Sequence, residues 1–305
     1  MTRRCALALW MALAWISSSP VSFAQELEAR AYANTPVDMN FLAVGYGYAT
    51  GNVFFDPALP IENAEARMNL AFARYLRTFP LFGKPAKAKA VLPWANGHWD
   101  GLIEGELNTQ DSTGLADARI GLDVLFSGAE PTRRSEFASY QQGTIVGASL
   151  DLVMPTGDYD TANLVNLGSN RWAFNPELAV SHRLAESWVL EGVLGAWIFT
   201  DNDEFLGDLR LEQDELFVAK FHLIHDIRPG FWLGVGTGLG YGGTTRVDGV
   251  VRDTRQENWR LGATVAYALA PDHGVSLSLL TGRNFGAGAD LDAITVAYQY
   301  SWGGD

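Results

Sequence analysis

Apolar residues alternate with small or polar residues in about a dozen stretches along the chain, and residues 291–302 show the pattern most clearly. The apolar positions of that stretch are Ile294, Val296, Tyr298, Tyr300 and Trp302. Successive side chains of a β-strand point to opposite faces, so the stretch predicts a strand with one apolar and one small, polar face. A closed sheet of such strands is apolar outside and hydrophilic inside. We therefore predict an all-β chain that forms a transmembrane antiparallel up-and-down β-barrel of about 12 strands.

Long and short connections take turns between the predicted strands. The strands are predicted at residues 38–50, 66–77, 86–95, 116–127, 144–155, 171–184, 188–200, 215–228, 231–242, 258–270, 275–283 and 291–302. The long loops are predicted at residues 51–65, 96–114, 156–170 and 201–214. An even number of strands brings both termini to the periplasmic side, with long loops outside and tight turns inside. The polar segment after the fourth strand departs from this rhythm, and its residues 134–140 predict a short helix at the membrane edge.

The ninth predicted strand carries a glycine at every second position. These residues are Gly234, Gly236, Gly238, Gly240 and Gly242. Glycine weakens a strand, so a series on one face needs a reason. The glycines leave room for bulky neighbours across a tapered barrel, or they allow close approach by something in the lumen.

The start of the chain has the features of an export signal. Arg3 and Arg4 precede an apolar run at residues 5–16, and Ser22-Phe23-Ala24 is a small-x-small cleavage site. We predict a signal peptide at 1–24, a periplasmic lead-in at 25–36 and the barrel at 37–305. Cys5 is the only cysteine, so cleavage leaves a mature chain without a thiol or disulfide.

The composition excludes several other classes of protein. The chain has 22 Lys and Arg against 35 Asp and Glu, and it has no run of basic residues, so a nucleic-acid partner is disfavoured. The predicted mature segment has no eighteen consecutive apolar residues, which argues against a helical membrane protein. A soluble exported β-sandwich remains an alternative, because this test does not address it.

Charged residues at inward positions form the candidate functional site. A Lys or Arg on the lipid face costs about 2–4 kcal/mol at the bilayer midplane, so inward placement is preferred. The predicted lumen-lining residues are Lys87, Lys89, Arg119, Asp123, Asp151, Glu177, Arg183, Glu191, Lys220 and Arg260. They form either a salt-bridged network that stiffens a narrow barrel or a polar path that sets selectivity.

No pattern of catalytic or metal-binding residues stands out. The chain lacks a G-x-S-x-G motif, and His222 and His225 project from opposite faces of a strand, so they cannot hold one ion together. The acidic loop around Asp201 and Asp208 lacks the spacing of an EF-hand and is read as a solvated loop. We predict no enzyme, no cofactor and no metal site.

Several longer runs resemble one family of predicted outer-membrane barrels. The runs are LPIENAEA (59–66), TIVGAS (144–149), LGSNRW (167–172), FTDND (199–203) and RQENWRLG (255–262). Together they are similar to the "MetA-pathway of phenol degradation" family, over nearly all of the mature chain. The resemblance implies a transporter linked to phenol-type aromatic compounds, and it supplies no catalytic motif.

The predicted function is therefore an outer-membrane channel of a Gram-negative bacterium that passes small molecules by diffusion. The alternative is a structural or adhesive barrel with a plugged lumen. The predicted partners are outer-membrane lipid and lipopolysaccharide, the barrel-assembly machinery and a small-molecule solute. Barrels of this kind commonly end on an aromatic residue; here Gly303, Gly304 and Asp305 follow Trp302, yet the aromatic series before them is intact.

Overall fold

The computed structural model describes residues 27–54, 61–103, 105–137, 139–163, 165–284 and 288–304. The predicted signal peptide lies outside the described residues. The strands are β1 (Met39–Phe54), β2 (Ile61–Leu81), β3 (Lys84–Ile103), β4 (Glu106–Leu115), β5 (Arg119–Ser127), β6 (Thr144–Val153), β7 (Ala173–Ala185), β8 (Trp188–Phe199), β9 (Asn202–Phe205), β10 (Leu209–Gln213), β11 (Leu216–Arg228), β12 (Phe231–Gly242), β13 (Thr245–Val247), β14 (Val250–Val251), β15 (Gln256–Ala270), β16 (His273–Asn284) and β17 (Gly288–Gly303). One short helix, α1 (Arg134–Phe137), lies between β5 and β6.

The main sheet closes on itself as an antiparallel barrel. Its order is β2-β1-β17-β16-β15-β12-β11-β8-β7-β6-β5-β3-β4, and the additional pairing of β2 with β3 completes the circle. β4 and β5 share the fourth position, since β4 pairs with Trp94–Ile103 of β3 and β5 pairs with Ala86–Val91. The barrel therefore has 12 strand positions, which confirms the predicted fold class.

The tight connections lie at one end of the barrel, the turn end, and the long ones at the other, the loop end. At the turn end, two residues each join β2 to β3, β7 to β8, β11 to β12 and β15 to β16. The helix α1 also lies at the turn end, and it confirms the helix predicted at 134–140 in a shorter form. Among the described residues, no helix is long and apolar enough to cross a membrane.

The outer face of the barrel is an apolar band. Leu178, Leu194 and Phe217 on three different strands are 63%, 64% and 60% exposed, as the alternating pattern predicts. Aromatic rings gather towards the turn end, where Trp302 lies 5.6 Å from Tyr300 between ring centroids. Exposed leucines and an aromatic girdle are the outer surface that a lipid bilayer favours.

Two parts of the wall differ from the sequence prediction. Residues 96–114 were predicted as a loop, but most of them extend the sheet as the hairpin of β3 and β4 beyond the barrel rim. In β2 the apolar series points inward: Met68 is 1% exposed, while Tyr75, of opposite parity, is 38% exposed. Apolar contacts inside the loop end stabilise this reversal, since Met68 packs in a buried cluster with Trp99 and Val165.

A second, small sheet covers part of the loop end. It has the order β14-β13-β10-β9, and Phe205, Leu211 and Val247 form its buried core. The predicted solvated loop at 201–214 therefore contains two strands. Its carboxylates face a cation, because Arg210 forms ion pairs with Asp201, Asp203 and Glu212.

Residues 27–36, which we call the N-terminal segment, lie inside the barrel. A Cβ built on Gly238 would lie 3.1 Å from Leu27, and one on Gly234 would lie 3.1 Å from the Ala29 Cβ. The glycines of β12 thus allow close approach of the chain, which was one of the two predicted explanations. Gly236 fits the other explanation, room for a bulky neighbour, because a Cβ there would lie 2.4 Å from the ring of His222. The segment was predicted as a periplasmic lead-in, and its side-chain contacts instead lie with the inner wall.

We expect Leu178→Arg to destabilise the barrel by about 2–4 kcal/mol in lipid vesicles, because Leu178 faces outward near the middle of β7. Leu184→Arg, at the turn end of the same strand, should cost about 0–1 kcal/mol, because the charge can reach the interface. Urea unfolding of both variants in vesicles measures the difference. Equal costs at the two depths would contradict the assigned lipid face.

Candidate functional site: the barrel lumen

The N-terminal segment closes the turn end of the lumen. The Tyr32 backbone N–H donates to Glu191, and the Tyr32 hydroxyl contacts Ser149 at 2.8 Å and donates to Glu177 at 3.1 Å. Lys87 Nζ donates to the backbone carbonyls of residues 31 and 33, both at 2.8 Å. Side chains from four wall strands, β3, β6, β7 and β8, therefore hold the Tyr32 side chain and the backbone of residues 31–33.

Ion pairs anchor the same segment at two further points. Arg74 Nη1 lies 2.6 Å from Glu28 Oε1, and Arg30 pairs with Asp226. The Arg30 guanidinium also lies 5.1 Å from the ring centroid of Trp232. The segment has no strand ladder with the wall, so these contacts of individual side chains are what keeps it in place.

The described residues of the connection between β6 and β7, 154–163 and 165–172, fold inward across the loop end, and we call them the crossing loop. Asp117, in the break between β4 and β5, accepts the backbone N–H groups of Thr156, Gly157 and Ser169 at 3.1, 2.9 and 2.8 Å. Val165 of this loop belongs to one buried apolar cluster with Met68 of β2, Ala49 of β1 and Leu291 of β17. The crossing loop therefore spans from one side of the barrel to the other.

Two cavities lie between the crossing loop and the N-terminal segment. The upper cavity, of about 100 Å³, has mostly apolar walls that include Met68, Leu70, Trp99, Trp197 and Phe199. The lower cavity, of about 190 Å³, has charged walls and is bounded by Glu28, Ala31 and Tyr32 of the N-terminal segment. Pro93, Arg119 and Trp197 line both cavities, so the two adjoin each other.

Ion pairs balance the charges of the lower cavity. Lys89 Nζ lies 3.0 Å from both Asp123 and Asp151, and Lys220 Nζ lies 2.6 Å from Glu177. The Lys220 and Glu177 side chains are 14% and 6% exposed, so water screens this pair little. The lumen thus contains the predicted salt-bridged network, and the space left beside it is the candidate solute path.

The ten predicted lumen residues lie in four different places. Lys89, Arg119, Asp123, Asp151, Glu177 and Lys220 line the lower cavity. Lys87 and Glu191 hold the N-terminal segment. Arg183 lies at the turn-end mouth, 3.8 Å from Asp226, and Arg260 donates to the carbonyl of Ala289 at 3.2 Å.

The sequence prediction missed several residues of the site. Arg74 was missed because β2 turns its apolar series inward, so the usual parity rule assigns the wrong face. Glu28, Arg30 and Tyr32 were missed because no local pattern shows that a strandless segment enters a barrel. Arg171 was missed because it precedes β7 and belongs to the crossing loop.

Arg171 is the charged side chain most enclosed at the upper cavity. It is 5% exposed, and its guanidinium carbon lies 4.5 Å from the ring centroid of Phe199. Burial lowers the pKa of its guanidinium to about 10, so the group remains cationic at neutral pH. Its Nη2 donates to the side-chain oxygen of Gln213.

The described residues include no candidate metal site, and two histidines of β11 lie apart from each other. Within the described ranges, no group of three or more His, Cys, Asp or Glu side chains is placed to hold a metal ion. His222 is 3% exposed and faces the lower cavity, whereas His225 stacks on Trp188 at a centroid distance of 4.3 Å. The two histidines therefore lie in different environments.

We expect Lys220→Met to destabilise the folded barrel by about 3–5 kcal/mol, because it leaves the buried Glu177 carboxylate without its cation. The double variant Glu177→Gln/Lys220→Met should recover most of this loss, since it removes both charges. Arg283→Met, which breaks the exposed pair with Asp292, is the control and should cost about 0–1 kcal/mol. Urea unfolding midpoints measure the effects, and a double variant as unstable as the single one would contradict the pairing.

Comparison with known structures supports the fold. The chain is similar to a COG4313 outer membrane channel from Pseudomonas putida F1, with 22% identity and a TM-score of 0.73 over 91% of this chain and 100% of that one. It is also similar to the transport unit of the autotransporter AIDA-I from Escherichia coli, with 7% identity and a TM-score of 0.56 over 90% and 93% of the two chains. The beta domain of the Bordetella autotransporter BrkA matches with 13% identity and a TM-score of 0.52 over 87% and 100%. These likenesses establish an outer-membrane barrel fold.

Comparison at the level of sequence identifies the family. None of the curated proteins compared with the chain matches it. The profile of the family described as "Putative MetA-pathway of phenol degradation" matches residues 57–299, which is most of the chain and nearly the whole barrel. The chain therefore belongs to this family.

Proposed function

We propose that the protein is an outer-membrane channel for small molecules and that the N-terminal segment is its movable plug. The observation that carries this proposal is the pair of adjoining cavities, bounded on one side by a segment outside the β-ladder. A solute that enters from the loop end meets the upper cavity, then the lower cavity, and finally Tyr32 and its neighbours. Passage requires that the N-terminal segment move.

The way in which the segment is attached supports this movement. The wall strands are joined by continuous ladders, such as the sixteen-residue pairing of β1 with β17. The N-terminal segment is held by separate side-chain contacts, mostly to charged groups, and each hydrogen bond of this kind contributes about 1.5–3 kcal/mol. Releasing the segment therefore costs less than opening the wall, so the plug can leave a barrel that stays closed.

Aromatic compounds are the solute class that we propose. The family relates to phenol degradation, and the upper cavity presents Trp99, Trp197 and Phe199 to its contents. Pockets with apolar and aromatic walls favour apolar ligands, and aromatic rings pair with one another in offset or edge-to-face arrangements. An engineered apolar cavity of about 150 Å³ accommodates benzene. The upper cavity alone is smaller, at about 100 Å³, but it adjoins the lower cavity of about 190 Å³.

The proposal also includes the membrane, the orientation, the assembly partner and the export route of the protein. The apolar band and the aromatic girdle support contact with outer-membrane lipid and lipopolysaccharide, with the turn end in the periplasm. Trp302 and Tyr300 are stacked near the end of β17, which supports recognition by the barrel-assembly machinery. The Arg3-Arg4 pair and the Ser22-Phe23-Ala24 site support export through a signal peptide cut after Ala24.

We infer further that the protein is not an enzyme. In the described part of the chain, no histidine bonds both a serine or threonine hydroxyl and a carboxylate, as a hydrolytic triad requires. Several charged groups of the lumen are instead engaged in ion pairs, as Lys89 and Lys220 are, or in holding the N-terminal segment, as Lys87 and Glu191 are.

A disulfide that fixes the plug tests the proposal. A Cβ on Gly234 would lie 3.1 Å from that of Ala29, which is slightly closer than the usual Cβ distance of about 3.5–4.5 Å in a disulfide. In the double variant Ala29→Cys/Gly234→Cys, the oxidised protein should raise the phenol flux into liposomes little above that of protein-free liposomes. Reduction with dithiothreitol should restore the flux to the level of the parent protein.

Matched controls make the result specific. The single variants Ala29→Cys and Gly234→Cys should show the same flux with and without reductant, because the mature chain that starts after Ala24 has no other thiol. Equal flux through the oxidised and reduced double variant would contradict the plug. The absence of flux in every state, including the parent protein, would favour the structural barrel with a plugged lumen.

A further inference from the structure

The Arg171 guanidinium is a buried cation without a close anionic partner. No carboxylate of the described residues lies within 4 Å of its nitrogens. Its Nη2 donates to Gln213, and its Nη1 is buried without a hydrogen-bond partner. Buried charges in proteins are usually paired, so this nitrogen lacks the acceptor that such a group normally has.

The nearest acidic groups are engaged elsewhere. Asp117 accepts three backbone N–H groups and the hydroxyl of Ser169, which bonds the Oδ2 atom. Asp201 pairs with Arg210 in the small sheet at the loop end. Neither carboxylate is free to turn towards Arg171 without breaking those contacts.

The unpartnered cation lines the apolar upper cavity. Arg171 shares the wall of that cavity with Trp99, Trp197 and Phe199, and Arg119 lies where the upper and lower cavities adjoin. In the lower cavity, by contrast, Lys89 and Lys220 already have carboxylate partners. Of these two cavities, the upper one therefore combines aromatic walls with a cation, Arg171, that has no carboxylate partner among the described residues.

We propose that the upper cavity binds an aromatic carboxylate, with the ring against Trp99 and Trp197 and the carboxylate on Arg171. This inference rests on the proposed channel function and names the solute class of the same lumen. A carboxylate supplies the acceptors that the guanidinium lacks, and charge-assisted bonds of this kind are about twice as strong as neutral ones. A neutral phenol supplies one hydroxyl and no charge, so it satisfies Arg171 less well.

Binding measurements with matched ligands test the proposal. Isothermal titration of the purified protein in detergent should show that benzoate binds at least tenfold more tightly than phenol or acetate. Phenol tests the need for the charge, and acetate tests the need for the ring. If phenol binds as tightly as benzoate, the negative charge has no role in binding. If acetate binds as tightly as benzoate, the site binds anions in general. Either result overturns the proposal.

Substitutions at Arg171 test the residue itself. Arg171→Gln should weaken benzoate binding at least tenfold and leave phenol binding unchanged, while Arg171→Lys should retain part of the benzoate affinity. Arg210→Gln, an exposed arginine of the loop end, is the control and should leave benzoate binding unchanged. Heat-modifiable gel mobility verifies that each variant is folded, and benzoate binding that is unaffected by Arg171→Gln in a folded barrel overturns the assignment.

The outcome is separable from that of the proposed function. A protein that passes phenol in a reductant-dependent manner in the disulfide experiment, but does not prefer benzoate, is a channel without this site. A protein that binds benzoate through Arg171 but passes no solute has the site without the channel.

Discussion

Closure of the backbone hydrogen-bond ladder is the constraint on which the rest of the molecule depends. Lipid offers no partner for a free N–H or C=O group, so each strand that faces it must be paired on both sides. β1 meets this requirement through β2 on one edge and β17 on the other. Once the sheet is closed, alternation sends every second side chain into a narrow lumen, and the position of the charged residues follows from that.

A narrow lumen makes its charges expensive unless they are paired. Lys89 pairs with Asp123 on the adjacent strand β5, and Lys220 reaches Glu177 on β7, two strands away. Lys87 and Glu191 instead bond the backbone of the N-terminal segment. The same polar groups therefore stabilise the wall and hold the N-terminal segment. This double use explains how the segment occupies the lumen without a folded domain of its own.

Glycines of the inner wall leave the space that the N-terminal segment occupies. Gly234 and Gly238 of β12 and Gly262 of β15 leave the inner wall flat, and Leu27 and Ala29 rest against it. On the opposite side the inner wall carries the ionic groups and the apolar series of β2. The lumen is thus asymmetric, with a smooth surface for the N-terminal segment and a chemically varied surface around the two cavities.

The sequence by itself determined the strand number, the lipid face of strands such as β7 and β17, and the inward position of charges such as Lys220, because a period of two residues is local information. Tertiary structure decided the rest. The inward series of β2, the crossing loop and the place of Tyr32 depend on contacts between residues far apart in the chain, such as Tyr32 with Glu177 and Val165 with Met68. No periodicity encodes these contacts, since a segment without strand pattern is positioned only by the cavity that the closed barrel provides.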